Sequence, residues 1–330
     1  MKKRIFSFIL VFILLISSVL FYLIQPVNKE DELGIRVDIK SGSSAAQIAE
    51  TLYNYKLIRS KTLFRILLNI RGLENSLKAG VYSIKPSENI FEIMDLLVKG
   101  RVSTYRVTIP EGYTIEEIAE RLSVLTFHSK EDFLRIARSN LGRDYLDSSN
   151  RTRYPLEGFL YPDTYIIPEE YQIEEIYEMM LSVFEERCLE RLGNTEQDFT
   201  PYEIMIIASL VEKEARLDKE KPIIAGVIYN RIEQDMLLQI DASVQYVLKE
   251  RKGRILYSDL KVDSPYNTYL YHGLPPGPIS NPGAVSIEAA LKPADVDYLF
   301  YFARDDGSHV FSKTYSEHLK LQGEMRMGNE

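Results

Sequence analysis

A single cysteine, Cys188, serves a chain of 330 residues. One thiol excludes an internal disulfide, a cysteine-ligated iron–sulfur cluster and a Cys-based zinc site. Histidine is scarce too: His128, His272, His309 and His318 are the whole set, with no H-E-x-x-H spacing among them. Neither a metal site nor a bound cofactor is therefore expected. G-x-G-x-x-G, the Walker A pattern and G-x-S-x-G are also missing, which argues against nucleotide enzymes and hydrolases of the nucleophile-elbow type. Positive charge is in deficit, with 40 basic against 48 acidic residues and a net charge of −8. Nucleic-acid binding needs a basic footprint to displace counterions, so no nucleic-acid partner is expected.

What is present begins at the amino terminus. Residues 5–24, IFSFILVFILLISSVLFYLI, form a run without a charge, glycine or proline. At about 1.5 Å per residue such a helix spans roughly 30 Å, the thickness of a bilayer hydrocarbon core. Lys2, Lys3 and Arg4 precede it and Pro26 follows, so residues 1–4 are expected in the cytoplasm and everything after the run outside it. The apolar region of a signal peptide is about 7–15 residues, shorter than this run, and no small-x-small cleavage site follows. The reading is a single-pass membrane anchor. A lone thiol also suits an exported, oxidising compartment. The rest is globular in composition, 45% hydrophobic and 27% charged over the whole chain, with length for about two domains.

After a linker at 25–34, a pattern appears and returns 70 residues later. Val37, Ile39, Gly42, Ile48, Ala49, Glu50 and Leu52 correspond to Val107, Ile109, Gly112, Ile118, Ala119, Glu120 and Leu122. Each copy reads as strand, capped turn, helix. A weaker copy lies between them, with Tyr82, Ile84, Ser87, Ile93 and Leu97. The first unit continues through a helix at 61–70 to a strand at 80–84. Strand–helix–helix–strand with Gly42, Asn69, Leu77 and Gly80 resembles a LysM-like module over 35–103. That resemblance implies binding to N-acetylglucosamine-containing glycans; the alternative is a structural spacer of the same fold. Residues 104–150 are expected to form a second strand–helix repeat connecting to a larger domain at 151–330. The fold class expected is α+β: a transmembrane helix, a LysM-like βααβ module, and a mixed α/β catalytic domain.

Within 151–330 the most informative element is a helix expected at 201–217, opened by Pro201 near a preferred first position. Ile204, Met205, Ile206, Ile207, Ala208, Leu210 and Val211 point in nearly every direction around it, the signature of a buried helix. Glu212 follows directly and projects between Ala208 and Met205. One account is a helix-favouring residue on a solvated edge. The other is a carboxylic acid at the rim of an apolar wall, kept protonated by burial as a general acid requires. Glu214 points elsewhere and is expected to be an exposed partner for a basic side chain. A proline-fixed, aromatic loop at 264–284 carries Pro265, Pro275, Pro276, Pro278 and Pro282, five of the 14 prolines. Ordered loops this long are uncommon unless functional, and its tyrosines and Asn267 suit the apolar face and hydroxyl rim of a sugar. A hairpin across Asp305, Asp306 and Gly307 is expected to close the chain.

Several long motifs then stand in order: LKAGVYSIKP (77–86), LEGFLYPDTY (156–165), IIASLVEKEA (206–215), VIYNRI (227–232), LQIDASVQY (238–246) and YNTYLYHGLPPGPISNPG (266–283). Together with the apolar amino terminus they resemble the YceG-like family over nearly the whole chain. The resemblance implies a single-pass bacterial membrane protein with endolytic murein transglycosylase activity. It assigns the catalytic acid to the first Glu of V-E-K-E, which is Glu212. Where the family commonly has proline after the Asp of L-Q-x-D, Asp241 is followed here by Ala242 and Ser243.

The implied reaction cleaves the β-1,4 bond between N-acetylmuramic acid and N-acetylglucosamine. Ordinary glycosidases use two carboxylates. In a lytic transglycosylase the muramic C6 hydroxyl attacks C1 of its own ring, so one residue suffices as acid and then base. Asn267, Tyr266, Gln239 and Asp241 are expected to line the cleft as substrate-binding residues, with Glu157 and Asp163 as weaker candidates. The partners implied are peptidoglycan glycan strands and, through a role in ending nascent strands, peptidoglycan synthases. A non-catalytic glycan-binding scaffold and a muramidase-type hydrolase, with Asp241 or another carboxylate activating water, are the alternatives.

Overall fold

The computed structural model describes residues 2–146, 151–195, 198–248, 252–253 and 255–328. The apolar run becomes helix α1 (Lys2–Ile24), of which Phe6–Ile24 is long and apolar enough to cross a membrane. Its side chains from Phe6 to Tyr22 are exposed. The chain divides into two compact units, residues 1–105 with 166–171, and residues 106–165 with 172–330.

The first unit holds β1 (Ile35–Ile39), α2 (Ala45–Asn54), α3 (Lys61–Ile70), β2 (Gly80–Ile84) and α4 (Ile90–Lys99). β1 and β2 pair antiparallel, Val37 opposite Tyr82. Val37 and Ile39 bury their alternate face, and Ile48, Ala49, Leu52, Phe64, Leu68, Ile93 and Leu97 close over it from the helices. One strand pair cannot bury its own apolar face, so the helices supply the other half of this core. Arg59 fixes the end of α1 to the module: it donates to the Pro26 and Val27 carbonyls at 2.7 and 3.1 Å and lies 4.3 Å from the centre of the Tyr22 ring.

β3 (Thr104–Thr108) pairs with β4 (Thr164–Pro168), and the boundary between the units falls inside both strands. Residues 106–165 and 172–330, with α5 (Ile115–Leu125) and α6 (Lys130–Ile136), belong to the second unit. Residues 106–146 of the segment read as a connecting subdomain thus fall in the same unit as the carboxy-terminal residues. The reason is packing: Phe133 of α6 is fully buried against Tyr177 of α7 (Ile173–Phe184), whose hydroxyl donates to the Phe133 carbonyl at 3.1 Å. α7 runs through a π-helical turn, Glu185–Leu189, into α8 (Glu190–Gly193).

At the centre of the second unit is α9 (Pro201–Glu214), whose residues from Ile204 to Val211 are all buried. Thr200 and Glu203 form its capping box and Pro201 its first turn, the start signal legible in the sequence. It ends at Glu214, three residues short of the expected 217, because Ala215 turns to extended backbone. α10 (Lys221–Glu233), α11 (Asp241–Val247) and α12 (Ala284–Leu291) pack around it. β5 (Phe300–Ala303) and β6 (His309–Ser312) form the expected antiparallel hairpin, followed by α13 (Tyr315–Gly328).

Candidate active site

The carboxyl of Glu212 is held at one oxygen. Its Oε2 accepts from the Ser286 hydroxyl at 2.5 Å, the Gly283 N–H at 3.2 Å and the Lys221 ammonium at 3.4 Å. Gly283 is the N-cap of α12 and Ser286 lies in its first turn, so Oε2 sits where a helix presents unpaired N–H groups and the positive end of its dipole. Among the described residues no group donates to Oε1. The side chain keeps 10% of its exposure, and that of Lys221 only 5%. Burying an ammonium this far requires paired charge, which Glu212 and Asp218 (3.0 Å) supply.

Two glycines bring backbone up to this carboxyl. Gly112 lies beside it at φ +73°, where a Cβ would stand 3.4 Å from the Glu212 Cγ. Lys213, the next residue on α9, donates to the Gly112 carbonyl at 3.1 Å. A Cβ on Gly283 would stand 2.0 Å from the Glu111 carboxyl carbon, so only glycine fits there without moving Glu111. Burial, then the neighbouring Glu212, push the Glu111 carboxyl above its ordinary value. Sequence reasoning passed over Glu111. The signal available was the repeat itself, which puts a carboxylate at 111 where the first copy has Ser41.

Beside this centre runs a groove of about 1460 Å³, lined among others by Tyr113, Thr114, Lys213, Glu214, Arg216, Asp241 and Gln245. It passes Lys213 and Glu214, while Glu212 is not among its lining residues. Glu214 is therefore not the exposed partner of a basic side chain that its helical direction implied. It accepts from the Tyr301 hydroxyl at 3.0 Å, and burial pushes its carboxyl up. Helical direction alone missed this because the hairpin β5–β6 folds back over the end of α9.

The remaining predicted residues separate into two groups. Asp241 and Gln239 are exposed; Asp241 lines the groove and accepts from the Tyr269 hydroxyl at 2.6 Å. Gln239 takes φ +54°, a strained conformation for a non-glycine residue, pinned by its N–H donating to the Thr268 carbonyl at 3.0 Å. The others face inward. Asn267 is fully buried, and its amide donates to the carbonyls of Leu260 and Val262 at 2.9 and 2.8 Å. Tyr266 is 4% exposed and stacks obliquely on Tyr246. Glu157 is 1% exposed and accepts from the Ile115 N–H, the Tyr246 hydroxyl and the Asn281 amide at 3.0, 3.0 and 3.1 Å. Burial dominates and pushes its carboxyl up to about 8. Asp163 pairs with Arg187 at 2.6 Å. Asn267 and Glu157 thus tie chain segments together instead of facing the groove. Asn281 extends the tie: its N–H donates to the Tyr113 carbonyl and its own carbonyl accepts from Gly112, both at 2.8 Å. This network ties the Gly112 turn, which lies against Glu212, to the segment that leads into Gly283.

The chain matches the model of the YceG-like family over residues 37–324. It is 33% identical over 317 residues to the endolytic murein transglycosylase of Bacillus subtilis (strain 168), covering 91% of this chain and 87% of that protein. A protein of the same name from Streptococcus pneumoniae serotype 2 (strain D39 / NCTC 7466) is 29% identical over 323 residues, 89% of this chain and 58% of the pneumococcal protein. Among solved structures, a 2.6 Å crystal structure of a yceG-like protein from Listeria monocytogenes is 35% identical, with a TM-score of 0.61, and covers 89% of this chain and 100% of that chain. On the family match over most of its length and the identity to a full-length relative, the chain belongs to the YceG-like family.

Proposed function

We propose that this protein is an endolytic lytic transglycosylase that cleaves the β-1,4 bond between N-acetylmuramic acid and N-acetylglucosamine inside peptidoglycan strands and leaves 1,6-anhydro ends. The observation that carries the reading is Glu212: Oε2 is fixed by three donors and Oε1 is left to exchange a proton. Oε1 gives its proton to the leaving glycosidic oxygen as the C1–O bond breaks. The muramic C6 hydroxyl then attacks C1, and its proton returns to Oε1, so the carboxyl ends as it began. A hydroxyl already on the same ring has a high effective molarity and needs no activated water. Fixing Oε2 at the end of α12 keeps the acid from rotating between the two steps.

The groove supports a polymeric substrate, being larger than the roughly 300–1,000 Å³ that holds a small ligand. We assign sugar contact to Asp241, which lines the groove, and to the exposed Gln239 two residues before it, and loop positioning to Asn267, Tyr266 and Glu157, which are buried. The β1–β2 module is read as LysM-like and glycan-binding. α1 is read as a single-pass anchor in a bacterial cell membrane with residues 1–4 cytoplasmic and the catalytic unit outside, where it would end nascent strands beside the synthases that make them.

The test is mass spectrometry of purified glycan strands incubated with the full chain in detergent, beside Glu212→Gln and Glu214→Gln. Loss of a general acid costs about 10²–10⁴-fold. Anhydro ends within strands are expected from the parent chain and from Glu214→Gln within tenfold, and essentially none from Glu212→Gln. Reducing ends instead would make the protein a hydrolase. Unchanged strands with every variant would make it a glycan-binding scaffold.

A further inference from the structure

Glu111 is an unassigned carboxyl close enough to the proposed acid to feel its charge. It lies at the turn between β3 and α5, and both it and Glu212 rest on Gly283: Glu212 through the Gly283 N–H, Glu111 against the face where a side chain would stand. Unlike Glu212, it is exposed, and no hydrogen bond or ion pair occupies its carboxyl among the described residues. The charged groups facing it are Glu212 from α9, and Asp218 and Lys221 from the turn that opens α10. Lys213 approaches the neighbouring Gly112 carbonyl. An exposed carboxyl beside a nearly buried one, resting where Gly283 has no side chain, is an arrangement with two different tasks available.

We propose that Glu111 is a second catalytic residue of this site, which stays ionised and faces the positive charge that develops at C1 while Glu212 gives up its proton. This rests on the transglycosylase reading above. No bond forms to Glu111; its charge offsets that of the oxocarbenium-like centre until the C6 hydroxyl closes the ring.

The experiment is the rate of anhydro-end formation by the full chain in detergent from pH 4 to pH 9, for the parent, Glu111→Gln and Glu111→Asp. The parent is expected to lose rate on the acid side as Glu111 takes up a proton. Glu111→Gln is expected to lower kcat about 10- to 100-fold with KM within threefold, and to flatten the acid limb. Glu111→Asp, which keeps the charge but draws it back, is expected to keep the limb at reduced kcat. It also serves as the test should the glutamine variant fail to fold. An acid limb unchanged in Glu111→Gln, or lost in Glu111→Asp, overturns the proposal. A parent chain that forms no anhydro ends overturns the transglycosylase reading instead, before Glu111 is reached.

Discussion

The two strand–turn–helix copies of this chain share a backbone and differ in what surrounds it. Gly42 and Gly112 both take left-handed turns, at φ +79° and +73°. Both helices open on a capping box, Ser44 with Gln47 in α2 and Thr114 with Glu117 in α5. Yet a Cβ at Gly42 would meet nothing within 4 Å, whereas at Gly112 it would meet Glu212. The first turn carries Ser41; the second carries Glu111 and is tied down by Asn281 and Glu157. A repeated local device thus stands clear of other groups in one place and packs against the proposed catalytic acid in the other. The repeat fixes the turn, and the elements packed on it fix its use.

Four measurements sharpen or break that contrast. The largest effect is expected from Gly283→Ala. Its backbone suits any residue, but the added methyl collides with the Glu111 carboxyl, a flexible group that can move. Anhydro-end formation should fall about 10- to 100-fold, to the level of Glu111→Gln, with the melting temperature within 2–3 °C of the parent. A melting temperature that collapses together with activity would assign Gly283 to packing alone.

Next is the buried Glu157 that clamps the start of α5. Its carboxyl ionises at about 8 in the folded protein against 4.5 for the ordinary group. A folded-state value above the unfolded one means that its contribution is fully present below about pH 4.5. That contribution is lost as pH rises toward 8, because the unfolded chain releases a proton that the folded chain retains. Melting curves of the parent should therefore decline over that window, and Glu157→Gln, an uncharged near-isostere, should flatten the decline. An equal slope in both proteins would mean that Glu157 is not the group responsible.

Third, Gly42→Ala and Gly112→Ala should each cost about 1–2 kcal/mol from left-handed backbone strain. Only the second should also reduce strand cleavage per folded molecule. Equal activity in the two variants would erase the difference between the copies. The smallest effect is expected from the caps: Ser44→Ala and Thr114→Ala should each destabilise by about 1 kcal/mol, seen in denaturant midpoints, with activity unchanged.

The rim position of Glu212 was legible because α9 is apolar all round, so the first charge after the apolar stretch stands at the edge of a core. β1, β2, the β5–β6 hairpin and the 61–70 helix were legible as well, since period and capping chemistry are local, whereas β4 was not read from its turn-rich surroundings. The same directional argument misread Glu214. Direction around a helix says where a side chain points, and here the hairpin carrying Tyr301 comes back over it. Asn267 and Tyr266 belong to a loop that composition marks as ordered. Whether an amide in such a loop faces a sugar or its own backbone depends on contacts within the fold, and Asn267 bonds to Leu260 and Val262.

The sequence by itself determined the apolar span, the repeat with its turn glycines, the buried helix that carries Glu212 near its end and the family. Each is written in residues near one another along the chain, or in motifs long enough to be specific. Only the tertiary structure decided that Glu111 and Gly283, 172 positions apart in number, meet at Glu212, that Glu157 is a buried clamp, and that the second copy of the repeat packs with the carboxy-terminal unit. These depend on which surfaces find each other once the core has formed, and non-local packing leaves no periodic mark on a single chain.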